Sequence, residues 1–393
     1  MKNEVYLAGG VRTPIGTFCG AFETVPAPVL GSTVVKAAVA RAGVPVEQIE
    51  EIVFGNVISA GLGQNVARQV ALGAGLNAAV NATSVNKVCG SGLKAVMLAA
   101  QAIQCDDASA IVAGGTESMS RAPYLLEKAR TGFRMGNGEI VDAMIRDGLW
   151  DVYRNLHMGL CGDRTAEKYG FTRDQQDEFA IASFKRALEA TKNGVFAREI
   201  QPVQAKVGKE VISVAEDENP KKFKAEKLRK LRLAFGEKGT VTAGNASSIN
   251  DGAAAILVLS GAKLAALGLK AQAKILGYAS YSLEPEWFTL APIGAMEKLL
   301  RMLSLKVSDV GLFEINEAFS VVPMAAMRDL GIPHEKVNVH GGAVALGHPL
   351  GAGGARTLVT LLNGLEQRGE RLGITSLCIG GGEAVAMAVQ LVS

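Results

Sequence analysis

The sequence of 393 residues has few aromatic side chains, little net charge and no long apolar run. No stretch approaches the roughly 20 uninterrupted apolar residues of a membrane span, and the first residues include no apolar segment of secretory length. The formal net charge of +3 offers no overall argument for a nucleic-acid partner. We therefore expect a cytoplasmic protein that binds neither nucleic acid nor a membrane.

Cysteine is also scarce, and its spacing excludes two kinds of site. The five cysteines are an odd number, and they form no CxxC pair or Cys/His cluster that could hold zinc. We expect free thiols in a reducing compartment, and no metal site. The cysteines are Cys19, Cys89, Cys105, Cys161 and Cys378.

Glycine and small apolar residues are abundant, as is typical of an α/β protein in which helices pack closely on sheets. Short apolar runs at 52–54, 110–113 and 312–315 predict buried strands, and residues 92–103 have apolar side chains at helical spacing. Strands and helices alternate, which favours a mostly parallel sheet covered by helices. The length predicts two or three domains of roughly 100–200 residues.

Two segments of the first half resemble two segments of the second. Residues 52–56 correspond to 312–316, and residues 112–117 correspond to 378–383. The matches are short, so chance remains an alternative. Their common order favours duplication, because each half has a strand with Asn, a turn with a reactive side chain, a helix and a strand with Gly-Gly-x-Glu. The sequence predicts two α/β halves whose turns converge on one cleft.

Residues 119–249 differ from both halves and predict a loop domain inserted over the cleft. They include a charged helix with Thr172 as a plausible N-cap and a basic run at 221–232. The predicted division is 1–118 with about 250–271 for the N-terminal half, 119–249 for the loop domain, and 272–393 for the C-terminal half.

Cys89 and His348 are the two reactive side chains in the small-residue turns. Cys89 precedes a predicted helix, whose N-terminal dipole and free N–H groups favour a thiolate and can stabilise an oxyanion. A buried core cysteine is an equally good interpretation. His348 by itself is more often structural, but the glycine and proline beside it favour a positioned base. No complete phosphate-binding or dinucleotide motif is present, which disfavours nucleotide chemistry.

Three further residues extend this pattern. Asn316 follows an apolar strand, where open α/β sheets place ligands, although a turn-forming Asn is the commoner case. Cys378 is a second thiol, and the glycines at 380–382 either permit tight packing or leave N–H groups such as that of Gly380 free to bind an oxyanion. Two thiols with a histidine indicate covalent acyl chemistry.

Taken together, these motifs resemble the thiolase family, and within it the short-chain acetyl-CoA acetyltransferases. The resemblance covers essentially the whole chain and implies a thiolase fold, in which two duplicated α/β halves form a five-layered αβαβα core with an inserted loop domain. The matching motifs are 12–16 (RTPIG), 86–92 (NKVCGSG), 114–120 (GGTESMS), 157–159 (HMG), 244–247 (GNAS), 250–253 (NDGA), 316–319 (NEAF), 347–349 (GHP) and 378–382 (CIGGG).

The resemblance implies a reversible ping-pong Claisen condensation of acetyl-CoA. Cys89 would take the acyl group while His348 accepts its proton, and Cys378 would act as the base at the α-carbon. Asn316 would hold a water that joins His348 in one oxyanion hole, and the N–H groups of Cys89 and Gly380 would form the other. No metal or redox cofactor is implied, since the thioester itself acidifies the α-proton.

The resemblance also implies a coenzyme A site. The basic run at 221–232 could meet the phosphates, although a solvated charged face is the better interpretation of composition alone. Departures from the family pattern are Gly353 in place of serine, Ser248 in place of glycine, Leu233 in place of proline, and residues 162–165. The implied contacts are His157, Met158, Phe235, Ala243, Ser247, Phe288, Ala318 and Phe319, with Lys227 and Arg229 at the phosphates.

His157 resembles the short-chain branch, so acetyl-CoA, acetoacetyl-CoA and CoA are the expected partners, in fatty acid metabolism. Residues 288–292 are similar to potassium-sensitive enzymes that accept 2-methyl-branched substrates, which suggests a monovalent cation. Residues 119–135 match the loop that joins dimers into a homotetramer. Two alternatives are a broad-specificity 3-ketoacyl-CoA thiolase of β-oxidation and a thiolase-fold CoA or lipid carrier without turnover.

Overall fold

One mixed sheet runs through the molecule. Most of its strand pairs are antiparallel, so the prediction of a mostly parallel sheet is wrong. The computed structural model describes residues 3–392. Its strands are β1 (Val5–Arg12), β2 (Gly16–Thr17), β3 (Glu51–Gly55), β4 (Asn81–Val85), β5 (Ala110–Ser118), β6 (Tyr124–Leu125), β7 (Val141–Asp142), β8 (Trp150–Asp151), β9 (Leu156–His157), β10 (Val203–Val207), β11 (Glu210–Val214), β12 (Asn250–Ser260), β13 (Ala273–Ser282), β14 (Leu312–Ile315), β15 (Leu372–Ile379) and β16 (Glu383–Leu391).

The helices alternate with these strands, as the sequence predicts. The predicted N-cap of α5 is confirmed: Thr172 makes a reciprocal capping box with Gln175. The helices are α1 (Ala27–Ala42), α2 (Val66–Gly73), α3 (Ser91–Gln104), α4 (Met158–Tyr169), α5 (Arg173–Lys192), α6 (Ala225–Leu228), α7 (Gly261–Leu267), α8 (Ala291–Leu303), α9 (Val321–Leu330), α10 (Ala343–Leu346) and α11 (Leu350–Arg368).

The two halves of the sheet repeat the same strand arrangement. In the N-terminal half, β3 runs parallel to β4 and β5, and β5 runs antiparallel to β12, which pairs with β1. In the C-terminal half, β14 runs parallel to β15, and β15 runs antiparallel to β16, which pairs with β13. Strands β1 and β13 then pair with each other and join the halves. The predicted duplication is confirmed at the level of strands.

The predicted residue-by-residue match of the second repeat is wrong by five positions. Strand pairing places Ile52 beside Val112, and Leu312 beside Gly373, so Val112 corresponds to Gly373 rather than to Cys378. The similar glycine pairs have different causes. A Cβ on Gly115, inside β5, would lie 2.0 Å from the Gly351 carbonyl oxygen, whereas Gly381 has a left-handed φ of +94° in the turn after β15.

The helices form three layers around the two half-sheets. Helix α1 packs on β1 and β12, and α2 packs on α1, on one outer face. Helices α3 and α11 lie between the half-sheets, where they contact each other, and α11 also contacts β5, β12, β14 and β15. Helix α8 packs on β13 and β16, and α9 packs on α8, on the other outer face. The result is the expected αβαβα core.

The chain between β5 and β12 crosses above this core and is tied to it by a buried ion pair. The Arg12 guanidinium donates from Nε to Glu199 at 2.6 Å and from Nη1 to Asp217 at 2.7 Å, and all three side chains are buried. Within residues 3–392, no helix is both long and apolar enough to cross a membrane. The same part of the chain has no cluster of His, Cys, Asp and Glu suited to a metal ion.

Candidate active site

A tight turn between β4 and α3 presents Cys89. Val88, just before it, has a φ of +46°, a left-handed conformation that is strained for a β-branched residue. The turn is held by side chains: the Lys87 N–H donates to Ser91 Oγ at 2.8 Å, and Ser91 Oγ donates to the Val88 carbonyl at 2.6 Å. The Val88 N–H donates to Asn86 Oδ1 at 2.9 Å. This local network fixes the position of the sulfur.

A second turn, before α11, presents His348. The His348 N–H donates to Asn250 Oδ1 at 3.0 Å. Gly347 has a φ of +110°, and a Cβ there would lie 2.3 Å from Asn250 Cγ, so only glycine lets the chain pass this asparagine. Asn250 begins β12, far away in sequence. Its role at the histidine turn therefore escapes local sequence analysis.

The two turns come together because α3 and α11 approach closely at their N-terminal ends. A Cβ on Gly92 would lie 2.7 Å from the Ala355 nitrogen, and one on Gly354 would lie 2.4 Å from the Leu93 nitrogen. Glycine at both positions lets the backbones meet. The Gly351 N–H donates to Glu117 Oε2 at 2.9 Å, which ties the start of α11 to β5.

Cys378 and Gly380 approach Cys89 from the opposite half. Cys378 lies near the end of β15 with no exposed surface. A Cβ on Gly90 would lie 2.4 Å from Ile379 Cδ1, so the turn of Cys89 packs directly on the end of β15. The backbone N–H groups of Gly380 and of Cys89 itself lower the pKa of the Cys89 thiol, and the charge of Cys89 raises that of Cys378. Backbone N–H groups beside a reacting sulfur are the kind of donor that can bind an oxyanion. The structure therefore brings the segments of the two thiols together.

The reactive groups are neutral at rest, contrary to the thiolate expected from the helix terminus. Burial raises the pKa of Cys89 to about 11, outweighing the two N–H groups that lower it. Burial raises the pKa of Cys378 well above its ordinary value. Burial, aided by the positive charge of Arg356, lowers the pKa of His348 to about 3. A neutral imidazole can accept the proton that the thiol must lose.

Asn316 completes this group of side chains. It follows β14, where its N–H donates to the Ser376 carbonyl at 2.9 Å. Its Nδ2 lies 3.4 Å from His348 Nε2, and its Oδ1 accepts from Arg356 Nη2 at 3.1 Å. Sequence analysis missed Arg356, because a lone arginine in a small-residue helix gives no local signal of a buried role.

An apolar cavity of about 510 Å³ leads to Cys89 and His348. His157 stacks on Phe235 with ring centroids 4.5 Å apart, and Met158 packs on Gly380, where a Cβ would lie 2.3 Å from the methionine methyl carbon. Asn316 and Cys378 have no exposed surface and are not among the residues that line the cavity. The predicted coenzyme A contacts that line the cavity are His157, Met158, Phe235, Ala243, Ser247, Phe288, Ala318 and Phe319.

The basic residues divide into those near the cavity and those away from it. Lys227 lines an adjoining groove that shares Lys222 and Ala243 with the cavity. Lys222 donates to Thr17 Oγ1 at 3.0 Å, and only its place in the basic run could have pointed to it. Arg229 pairs with Glu178 and lines neither space. The structure thus brings Lys227, but not Arg229, close to the predicted site.

Three of the departures from the family pattern have visible structural consequences. Ser248 lines the cavity and donates to Asn250 Oδ1 at 2.8 Å, the same oxygen that accepts from the His348 N–H. Gly353 allows the imidazole to lie against α11, since a Cβ there would lie 2.5 Å from His348 Cε1. In residues 162–165, Asp163 Oδ1 accepts from the Val241 N–H at 2.9 Å. These changes leave every predicted reactive group in place.

Comparison with known proteins agrees with this architecture. The family model "Thiolase, N-terminal domain" matches residues 5–262, and "Thiolase, C-terminal domain" matches residues 269–391. Acetyl-CoA acetyltransferase 2 of Arabidopsis thaliana is 51% identical over 391 residues, covering 99% of this chain and 97% of that protein. The acetyl-CoA acetyltransferase of Escherichia coli is 48% identical over 392 residues, covering 99% of both chains.

Solved structures match equally completely. The Acat5 thiolase of Ascaris suum, in complex with coenzyme A, has a TM-score of 0.94 and 43% identity, covering 99% of this chain and 100% of that one. The Bacillus anthracis acetyl-CoA acetyltransferase has a TM-score of 0.97 and 38% identity, covering 100% of this chain and 99% of that one. Two family models that span nearly the whole chain, full-length relatives at about half identity and the duplicated fold agree: this chain belongs to the thiolase family.

Proposed function

We propose that this protein is an acetyl-CoA C-acetyltransferase, which interconverts two molecules of acetyl-CoA with acetoacetyl-CoA and CoA. The observation that carries the proposal is that Cys89 and a neutral His348 line one apolar cavity, with Cys378 buried near Cys89. Full-length relatives at about 50% identity named acetyl-CoA acetyltransferase support the same activity.

The first half-reaction forms an acetyl-enzyme. Cys89 attacks the thioester carbonyl of acetyl-CoA while its proton passes to His348 Nε2. The departing CoA thiolate takes the proton of Cys378, which leaves a Cys378 thiolate and a protonated His348 for the second half-reaction. The carbonyl oxygen gains negative charge in the tetrahedral intermediate. We assign the stabilisation of this charge to the N–H groups of Cys89 and Gly380, the two backbone groups that lower the pKa of Cys89.

The second half-reaction forms the carbon–carbon bond. The Cys378 thiolate removes a proton from the methyl carbon of a second acetyl-CoA. The enolate oxygen is stabilised by hydrogen bonds from the Asn316 side and from the protonated Nε2 of His348. The enolate carbon attacks the acetyl group, Cys89 leaves as a thiolate, and acetoacetyl-CoA is the product. The Cys89 thiolate then takes its proton back from His348, so Cys89, Cys378 and His348 all return to their neutral starting forms.

The apolar cavity suits the pantetheine arm, because it is lined mainly by aromatic and small apolar side chains. His157, stacked on Phe235, and Met158, packed on Gly380, narrow the inner end and favour a short acyl group. We assign the phosphates to Lys222 and Lys227 rather than to Arg229, whose charge is engaged by Glu178. The proposed chemistry requires no metal or redox cofactor.

Assembly and location are further parts of the proposal. Residues 119–135 would join two dimers into a homotetramer, and the exposed apolar side chains of Tyr124, Leu126, Phe133 and Met135 in and around this loop are suited to an interface. We also propose the division into 1–118 with 250–271, 119–249 and 272–393, a role in fatty acid metabolism and a cytoplasmic location. A monovalent cation near 288–292 remains a prediction.

Mass spectrometry after mixing with acetyl-CoA or acetoacetyl-CoA tests the activity. We expect one acetyl group on the peptide containing Cys89, absent from Cys89→Ala and retained in Cys105→Ala, whose cysteine is exposed at the end of α3. Labelling solely at Cys378 would overturn the assigned roles. A chain that binds CoA but neither forms an adduct nor turns over would be a carrier.

The rates of thiolysis test which acyl chain length the enzyme prefers. We expect acetoacetyl-CoA to be cleaved faster than a longer 3-ketoacyl-CoA, because the bulky side chains of Met158 and Phe288 line the cavity that holds Cys89 and limit the room for an acyl chain. A strong preference for the longer substrate would identify a broad-specificity thiolase of β-oxidation instead. The same comparison with a 2-methyl-branched 3-ketoacyl-CoA, with and without potassium, tests the cation prediction.

A further inference from the structure

One arginine side chain is buried directly behind the reacting groups. Arg356, in the second turn of α11, is only 2% exposed, and its guanidinium contacts two groups of the β14 segment. Its Nη1 donates to Glu314 Oε1 at 2.8 Å, and its Nη2 donates to Asn316 Oδ1 at 3.1 Å. A buried charge is costly unless it is paired, and Glu314 provides that pair. The hydrogen bond to Asn316 is therefore not needed to neutralise the charge of Arg356.

The contact with Arg356 decides which way the Asn316 amide points. A guanidinium has hydrogen-bond donors and no acceptor, so only the oxygen of the amide can face it. The amide nitrogen must then face the opposite side, where it lies 3.4 Å from His348 Nε2. In the reversed orientation, two donors would face each other at Arg356 and a carbonyl oxygen would face the reacting centre.

The amide orientation in turn decides the tautomer of His348. An amide NH₂ group only donates, so the ring nitrogen that faces it must be the unprotonated acceptor. This contact assigns the lone pair of the neutral imidazole to Nε2 and its proton to Nδ1, a nitrogen that is buried without a hydrogen-bond partner among the described residues. The opposite tautomer would place N–H against N–H. Nε2 is then ready to accept the proton of Cys89.

We propose that Arg356 is a positioning residue that acts through Asn316: by binding Oδ1 it holds Nδ2 towards the reacting centre and keeps the lone pair of His348 on Nε2. The proposal rests on the proposed acetyl transfer. The guanidinium also favours the neutral imidazole, since its charge lowers the pKa of His348 in the same direction as burial does. Arg356 itself does not contact the substrate cavity.

Steady-state kinetics with a double-mutant cycle test this chain of contacts. Arg356→Met leaves Glu314 buried without its partner, so the change is made together with Glu314→Gln. We expect kcat of this variant to fall about 100-fold, the scale of losing one preorganised donor, with KM for acetoacetyl-CoA changed by less than about threefold. In an Asn316→Ala background, Arg356→Met with Glu314→Gln should lower kcat by less than about threefold, because the side chain through which Arg356 acts is already gone.

Two further variants separate positioning from stability. Arg356→Lys keeps the charge but offers no fork that binds Glu314 and Asn316 together, so we expect an intermediate loss of about tenfold in kcat. Arg12→Lys changes another buried arginine, paired with Glu199 and Asp217 away from the cavity. It should lower the melting temperature while kcat of the folded enzyme stays unchanged.

The tautomer can be observed directly by ¹⁵N NMR of histidine-labelled protein, with His348→Asn used to assign its signals. We expect Nε2 of His348 to show the shift of an unprotonated nitrogen, and Arg356→Lys to mix the two tautomers. Independent, multiplicative losses in the double-mutant cycle, or an Nε2–H tautomer in the wild type, would overturn the proposal. A wild-type protein that transfers no acetyl group would instead refute the proposed function.

Discussion

Asn56 and Asn316 occupy the same place in the two halves, directly after β3 and β14, yet their amides are used differently. Nδ2 of Asn56 donates to Glu117 Oε1 at 2.9 Å, so the donor is consumed inside the fold. In the other half, Arg356 binds the oxygen of Asn316 and leaves Nδ2 towards His348. Duplication thus supplied two equivalent positions, and the charge of the neighbouring side chain decided which amide nitrogen faces the reaction.

The two turns before the central helices differ in the same way. The turn of Cys89 is held by its own local side chains, above all Ser91, and includes the strained Val88. The turn of His348 is held from a distance, by Asn250 of β12. One half therefore presents a nucleophile on a self-contained turn, whereas the other presents a base whose position depends on the packing of the whole core.

The largest predicted contrast is between the two thiols. Cys89→Ala should abolish acetyl-enzyme formation. Cys378→Ala should still form the acetyl-enzyme, while condensation falls roughly 10²–10⁴-fold, the scale on which general acid–base groups act. Acetyl adducts measured by mass spectrometry, beside the rate of acetoacetyl-CoA formation, check both outcomes. Loss of the adduct in Cys378→Ala would mean that the two halves do not divide the chemistry in this way.

The matched asparagines give the next contrast. Asn316→Ala should lower kcat about 10²–10³-fold, because it removes a donor aimed at the reacting centre. Asn56→Ala should leave kcat of the folded enzyme unchanged and lower the free energy of unfolding by about 1–3 kcal/mol, because Glu117 loses a buried hydrogen bond. Steady-state rates and chemical denaturation of both variants test this. Equal losses of kcat would erase the distinction between the halves.

Alkylation of Cys89 by iodoacetamide tests the neutral resting state. Its folded-state pKa of about 11 lies above the ordinary value, so the reactive thiolate fraction should rise about tenfold for each pH unit below that value. We expect the alkylation rate of Cys89 to increase about 100-fold from pH 7 to pH 9 without a plateau. Mass spectrometry of the modified peptide measures this rate. A rate that does not vary between pH 6 and pH 9 would indicate a thiolate–imidazolium pair. Fully buried Cys378 should react more slowly.

The smallest effect concerns the self-contained turn. Ser91→Ala removes the hydroxyl that accepts from the Lys87 N–H and donates to the Val88 carbonyl. We expect the free energy of unfolding to fall by about 1–3 kcal/mol, because the freed backbone groups are partly buried. Thermal and chemical denaturation measure the change. An unaltered stability would show that packing around α3, rather than Ser91, holds the turn.

Much of the fold was predictable because its signals are local. The apolar runs at 52–54 and 312–315 form β3 and β14, residues 92–103 lie in α3, and Thr172 caps α5 as predicted. The prediction for the second repeat is five positions out of register. The reason is that Gly-Gly-x-Glu arises from close helix contact in β5 but from a tight turn after β15. Two similar glycine motifs thus had different steric causes.

The site was predictable in its reactive residues but not in their supports. Cys89 and His348 stand in recognisable small-residue turns, and Cys378 stands at the end of a strand just before a run of glycines. Asn250 and Arg356 give no local signal, since their partners at His348, Glu314 and Asn316 come from other elements. Within the basic run, the sequence could not tell Lys222, at the cavity, from Arg229, paired with Glu178.

By itself, the sequence determined which elements form, where glycine lets chains bend or meet, and which side chains are reactive, because these depend on neighbours along the chain. Only the tertiary structure decided that the thiols rest protonated, that His348 stays neutral and that one asparagine rather than the other serves the site. Those outcomes depend on burial and on hydrogen-bond partners distant in sequence. Removal from water and the placement of donors act through space, and they exist only once the two halves have packed together.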